Sequence, residues 1–147
     1  MSKTKRAAIG AVVLVFTATV ALAASAHFIN CSKSAQSGTE QTVSFKIAGL
    51  GNETTCVSVT ANATATFACF NGGNKNPSAA NKRTINSQVV ASDCFTPHNG
   101  SISGSLTLEP PGPGDFSCPP GQKLRLLSVS YSSVKVVDTT HNVSCTP

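Results

Sequence analysis

Three histidines, His27, His98 and His141, are the side chains of this 147-residue chain best suited to hold a metal ion. If the chain is cut after Ala26, His27 becomes the amino terminus and can offer both its amine and its imidazole to one ion. Nitrogen ligands suit Cu(II), and His98 or His141 could supply a further imidazole. The simpler interpretation is that His27 only begins a strand, with the apolar residues after it packing behind.

An amino-terminal histidine on a secreted β-sandwich resembles the copper brace of lytic polysaccharide monooxygenases and related copper-binding proteins. The resemblance covers three histidines and a fold class. It implies copper as a cofactor and an oxidative activity for the processed chain. Cleavage after Ala23 would remove this possibility, because His27 would no longer be the first residue.

The first 26 residues have the order of parts of a secretory signal peptide. Basic residues come first, an uncharged apolar stretch follows over 7–23, and Ala24-Ser25-Ala26 is a cleavage motif. The apolar stretch is short for a membrane span, and polar sequence follows it. We therefore expect a signal peptide over 1–26 and a secreted chain over 27–147, with no transmembrane segment after processing. An uncleaved anchor is the alternative.

All six cysteines lie in the predicted mature chain, and an even count in an exported protein predicts three disulfides in an oxidising compartment. A metal cluster is disfavoured, because the closest pair, Cys56 and Cys69, is 13 positions apart. The sequence alone leaves the pairing open. The six residues are Cys31, Cys56, Cys69, Cys94, Cys118 and Cys145.

A hydrolase is a third class of function to weigh. The segment Gly100-Ser101-Ile102-Ser103-Gly104 has the glycine and serine content of a nucleophile elbow, but its third position is isoleucine. Asp93 and His98 could be combined with a serine into a triad, although nothing in the sequence fixes their geometry. These residues are interpreted more simply as turn and strand-surface groups, and we name no catalytic residue.

The charge of the predicted mature chain argues against a nucleic-acid partner. The predicted mature chain keeps eight basic and six acidic residues, and it has no basic run. It lacks tryptophan and has one tyrosine, Tyr131, which we expect inside, so an aromatic sugar platform is not evident. The polar segment 70–83, with Lys75, Lys82 and Arg83, is the candidate binding loop, and a solvated connector is the alternative.

Alternation of apolar and polar residues predicts strands throughout the mature chain. The clearest case begins at Cys56, where every odd-numbered residue from Val57 to Cys69 is apolar. Cys69 is expected to point into the core, and Cys56, of opposite parity, to lie at an edge or strand end. Gly104 shares a face with apolar neighbours, which indicates a bulge or a close approach.

Between 123 and 137 the alternation slips twice, and each slip predicts a β-bulge, although the second could be a turn. Glycine, proline and asparagine separate the strands, and the proline-rich stretch 109–121 cannot be a central strand. About seven short strands predict one domain over 27–147, an antiparallel β-sandwich of immunoglobulin-like size.

Several short motifs resemble a group of uncharacterised small secreted proteins that are common in actinobacteria. The resemblance covers nearly the whole mature chain and implies export and a β-rich domain, but no activity. It also favours a Cys69–Cys118 pair, because both residues belong to the shared motifs, whereas Cys31, Cys56 and Cys94 look like additions. The motifs are His27-Phe28, Ala48-Gly49-Leu50-Gly51-Asn52, Cys69-x-Asn71-x-Gly73-Asn74, Cys118-Pro119 and Val143-Ser144-Cys145-Thr146.

The sequence therefore predicts a secreted structural or binding module of the cell envelope or medium, without a cofactor. Its partner is unknown, and an envelope or extracellular protein or glycan is the class that we expect. A copper-binding or oxidative protein that uses His27 is the main alternative, and a hydrolase is the weakest.

Overall fold

A computed structural model describes residues 25–73 and 81–147, and the predicted signal segment up to residue 24 lies outside them. Seven strands form two antiparallel sheets, one with the order β1-β2-β5 and one with the order β4-β3-β6-β7. The predicted all-β class is confirmed. The strands are β1 (His27–Lys33), β2 (Gln41–Ala48), β3 (Thr55–Phe70), β4 (Lys82–Phe95), β5 (Ser101–Leu108), β6 (Lys123–Asp138) and β7 (Val143–Cys145).

The inner strand β3 of the larger sheet pairs with β4 on one side and β6 on the other. Its odd-numbered residues from Val57 to Cys69 are buried, whereas its polar even-numbered positions are more exposed. The alternation therefore defines an inner face toward the smaller sheet and an outer face toward solvent. Cys69 is inside, as its parity predicts, and Cys56 is the second residue of the strand.

One hydrophobic core joins the two sheets, because both contribute to the same buried cluster. The smaller sheet is shorter, so it covers the half of β3 that begins at Thr55. Burial of this apolar surface is the main force that holds the sheets together. The core is Val43, Phe45 and Ile47 of β2, Leu50 of the β2–β3 connection, Val57, Val59 and Ala61 of β3, Ile102, Leu106 and Leu108 of β5, and Val134 and Val136 of β6.

Both slips in the alternation of β6 are bulges within one continuous strand. Leu127 is an extra residue between the partners of Thr66 and Phe67, and Ser133 with Val134 stands opposite Ala61 alone. Ser133 has a φ of 53°, the left-handed conformation that such an insertion can require. The second slip is therefore not a turn, and after it Val134 and Val136 return to the core.

Gly104 marks a close approach and not a bulge, because the β2–β5 register runs through it without a shift. A Cβ at this position would lie 2.7 Å from Cε1 of Phe95 and 3.1 Å from Cζ of Phe45. The two phenyl rings meet edge to face, with centroids 5.4 Å apart. Glycine here makes room for an aromatic pair that packs against the core.

Three disulfides use all six cysteines. Cys31–Cys145 links β1 to β7, the edge strands on one side of the two sheets, and Cys56–Cys94 crosses from β3 to β4. Cys69–Cys118, the pair that the resemblance favours, attaches the proline-rich connection to the inner face of β3. That connection lies between β5 and β6 and forms no strand, as predicted.

Tyr131 is half-buried, so the expectation of a fully interior ring is only partly met. Its hydroxyl donates toward the carbonyl of Thr39, at 2.7 Å, and that of Leu108, at 3.2 Å. The ring thereby joins β6 to the end of β5 and to the β1–β2 turn. In the stretches 25–73 and 81–147, no helix is long and apolar enough to cross a membrane.

Candidate functional site

Basic side chains meet at the end of the larger sheet where β3 ends and β4 and β6 begin. In the ladders, Ala68 stands opposite both Lys82 and Arg125, and Phe70 stands opposite Lys123. Directly opposed residues of antiparallel strands share a face, so these side chains project together on the outer face. We call the group Phe70, Lys82, Lys123 and Arg125 the basic tip.

The basic tip combines positive charge with an aromatic surface. The guanidinium carbon of Arg125 lies 5.1 Å from the centroid of the Phe70 ring, a cation–π contact. Both residues line a partly open depression together with Lys123 and glycines 72 and 121. A guanidinium can bind a planar anionic group with two hydrogen bonds.

No carboxylate neutralises these cations. All six acidic residues lie in the described part of the chain, and the single ion pair found there is His141–Asp138. Lys82, Lys123 and Arg125 are exposed. These three cations share one face of the sheet, and two of them, Lys123 and Arg125, line the same depression. The arrangement can bind an anionic group by charge, hydrogen bonding and contact with the Phe70 ring.

The predicted binding loop is only partly brought together. Lys82 belongs to the basic tip, but Arg83 stands opposite Phe67 and therefore projects on the inner side of the sheet. Lys75 lies outside the described residues. Sequence reasoning missed Lys123 and Arg125, although their alternation at the start of β6 places both on one face. Phe70, their aromatic neighbour at the site, comes from β3, more than fifty positions earlier.

The three histidines lie at the opposite end of the sandwich. His27 begins β1, His98 lies in the β4–β5 connection, and His141 lies in the β6–β7 connection. Antiparallel pairing brings these three places to one end. Within the described residues, however, no three His, Cys, Asp or Glu side chains form a group that could hold a metal ion. The Nδ1 atom of His27 lies 2.9 Å from the carbonyl oxygen of Ser25.

A buried carboxylate holds His141 in place. Asp138 is fully buried, and its Oδ2 lies 2.9 Å from Nδ1 of His141. Its other oxygen accepts the backbone N–H groups of Thr140 and His141, at 2.9 and 3.0 Å. The carboxylate therefore closes the β6–β7 turn. The sequence carried a signal for this arrangement, since an aspartate at a strand end often closes the turn after it.

The residues weighed for a hydrolase do not form a triad. Asp93 accepts a hydrogen bond from the backbone N–H of Cys94, at 2.8 Å. Ser101 donates its hydroxyl to the backbone carbonyl of His98, at 3.2 Å, and the two residues also pair through their main chains. These bonds tighten the turn before β5, which agrees with the interpretation of the segment as turn and strand-surface groups.

Comparison with known proteins gives no relative. No family model, no curated protein and no solved structure matches the chain.

Proposed function

We propose that this protein is an exported binding module whose basic tip holds an anionic glycan of the cell envelope or surrounding medium. Export rests on the predicted signal segment and on the three disulfides, which persist in oxidising compartments. The sandwich supplies a rigid scaffold, and the ligand site lies where its long strands extend beyond the smaller sheet.

We further infer that the scaffold is immunoglobulin-like. Two facing antiparallel sheets of three and four strands, with β5 returning to the sheet of β1 and β2, are typical of that architecture. The hydroxyl of Tyr131 on the sixth strand bonds to the end of the fifth strand, which is similar in role to the tyrosine corner of such domains. Modules of this kind commonly bind their ligands at the ends of the sandwich.

The observation that carries the proposal is the unneutralised charge of the basic tip. Three exposed cations and one aromatic ring share the outer face at the tip, and no carboxylate lies within 4.0 Å of the cations among the described residues. Repulsion between neighbouring cations raises the free energy of the unliganded protein, and a bound anionic ligand would lower it. A glycan is favoured over an acidic peptide because the depression combines its two cations with amide, glycine and ring surfaces.

Dextran sulfate, with neutral dextran as its control, is the probe for this proposal. The exported protein is expected to be retained on immobilised dextran sulfate and to elute as salt rises, and to pass through neutral dextran. The double variant Lys123→Glu/Arg125→Glu is expected to lose retention.

The matched control is Lys46→Glu/Lys135→Glu, which makes the same change in net charge at exposed positions away from the tip. Retention of this control like the parent protein supports a site at the basic tip. Equal loss in both double variants would show attraction by net charge alone and would contradict the proposal. Thermal unfolding of each variant checks that the fold is intact.

A further inference from the structure

The long edge strand β4 lacks the usual protection against pairing with another chain. It runs from Lys82 to Phe95, and among the described strands it pairs with β3 on one side only. The nine residues 84–92 contain no charge and no proline, the features that normally block an exposed edge. Val90 is 59% exposed on the outer face of this strand.

The register shows which backbone groups β4 presents outward. Cys94 and Cys56 are directly opposed with Cα atoms 4.0 Å apart, a spacing typical of a non-hydrogen-bonded pair. The N–H of Cys94 accordingly points away from β3 and donates to Asp93. Because the β3–β4 register has no shift, every second residue back to Thr84 also presents its N–H and C=O at the free edge. In the described chain these groups have no main-chain partner.

The charges at the two ends of this edge are self-complementary. Arg83 and Asp93 lie five positions on either side of Gln88, and both project on the inner side of β4, opposite Phe67 and Val57. Both are exposed, and neither has an ion-pair partner in the described residues. A two-fold axis at Gln88 would place each Arg83 directly opposite Asp93 of a second copy.

We propose that two copies of this chain associate through antiparallel β4–β4 pairing centred on Gln88. Gln88 presents its N–H and C=O outward, so it forms a hydrogen-bonded pair with its own counterpart, and Thr84 pairs in the same way with Ser92. Arg83 and Asp93 then form non-hydrogen-bonded pairs, in which side chains come closest. The two larger sheets become one sheet of eight strands. This proposal does not depend on the proposed ligand.

The dimer has a consequence for the basic tips. A two-fold axis perpendicular to the sheet keeps both outer faces on one side and places the tips at opposite ends. Lys82 of one copy stands beside Cys94 of the other, so the two Lys82 residues are roughly 40 Å apart, at about 3.4 Å per residue. A dimer of this form could bridge two sites on one anionic polymer.

Sedimentation equilibrium of the exported, disulfide-bonded protein over a range of concentrations tests the proposal. A reversible monomer–dimer equilibrium is expected. Arg83→Asp and Asp93→Arg should each raise the dimer dissociation constant, on the order of tenfold, because both ends of the interface then hold like charges. The double exchange Arg83→Asp/Asp93→Arg should restore the parent value, since the opposite charges again face each other.

A second variant tests the strand pairing itself. Gln88→Pro removes an outward N–H at the centre of the interface, and proline is tolerated on edge strands when that group faces solvent. It should abolish the dimer while circular dichroism still shows a folded β protein. A protein that stays monomeric at every concentration would overturn the proposal. A dimer that is indifferent to the charge exchanges and to Gln88→Pro would overturn it equally, because its interface would then lie elsewhere.

Discussion

At the scale of single residues, the side chain of Tyr131 connects β6 to the β1–β2 turn and to the end of β5. Its ring packs against the core, and its hydroxyl donates to carbonyls of the β1–β2 turn and of β5. Burial raises the pKa of the Tyr131 phenol, and the nearby carboxylates Glu40 and Glu109 raise it further. The fold therefore favours the neutral phenol, which is the form that can donate these bonds.

Replacing Tyr131 with phenylalanine should lower the free energy of unfolding by about 1 kcal/mol near neutral pH, because the phenol's hydrogen bonds are lost. A raised folded-state pKa gives stability that is fully present below the unfolded pKa of about 10 and disappears as pH rises through the folded pKa. The difference between parent and variant should therefore vanish at strongly alkaline pH, as measured by urea denaturation.

The same titration can be followed directly by tyrosinate absorbance, because the chain has one tyrosine and no tryptophan. A phenol that titrates like free tyrosine, together with an equally stable Tyr131→Phe variant, would contradict this account.

Copper binding at His27 distinguishes the proposed binding module from the copper-binding alternative. The module predicts weak Cu(II) binding that does not change when one residue is added before His27, as for any exposed histidine. A copper brace predicts the reverse, because the added residue moves the free amine away from the imidazole. Isothermal titration of the processed protein, its extended form and His27→Ala provides the comparison. Tight binding that is lost in both variants would replace the proposed function with an oxidative one.

At the scale of elements, Gly104 shows a position where packing decides the residue type. Gly104→Ala should destabilise the fold by roughly 1–3 kcal/mol, since the new methyl group overlaps the Phe95 ring within a packed core. Gly112→Ala is the matched control, because its Cβ would meet nothing within 4 Å. Denaturant midpoints of the two variants test the prediction. Equal stability of both would contradict it, because the two phenyl rings would then move aside without a cost in free energy.

The strands themselves could be predicted from the sequence because their information is local. The parity of β3 predicts its inner face and the direction of Cys69, and the two slips in β6 mark the places where the register shifts. A break in alternation does not by itself distinguish a bulge from a turn. Strand pairing shows that the second slip is a bulge, since Ser133 and Val134 stand opposite Ala61 within one continuous ladder.

The candidate site could be predicted only in part, because its residues come from distant strands. Lys82 was identified within a polar segment, whereas Lys123 and Arg125 join it only through the register of β4 and β6 on β3. Arg83 is the sequence neighbour of Lys82, and strand alternation places its side chain on the other face. Sequence distance and spatial distance disagree most strongly across a sheet of long strands.

At the scale of the whole molecule, the basic and acidic residues of the larger sheet concentrate at opposite ends, whereas Glu40, Glu109 and Asp115 lie in connections on the side of the basic tip. The basic tip lies at one end of the larger sheet, and Glu53, Asp93 and Asp138 lie in or beside the connections at the other end. A molecule with this layout is expected to orient as it approaches an anionic surface, with the tip leading. The disulfide between β1 and β7 joins the smaller sheet to the larger sheet along one side of the molecule.

Export and three disulfides are the central requirements of the proposed function, and mass spectrometry of the protein recovered outside the cytoplasm tests both directly. We predict a first residue of His27, a mass lower than that of the reduced chain by two hydrogens for each of the three disulfides, and peptides that link Cys31 with Cys145, Cys56 with Cys94 and Cys69 with Cys118. An intact Met1, a start at Ala24, or free thiols under denaturing conditions would contradict it.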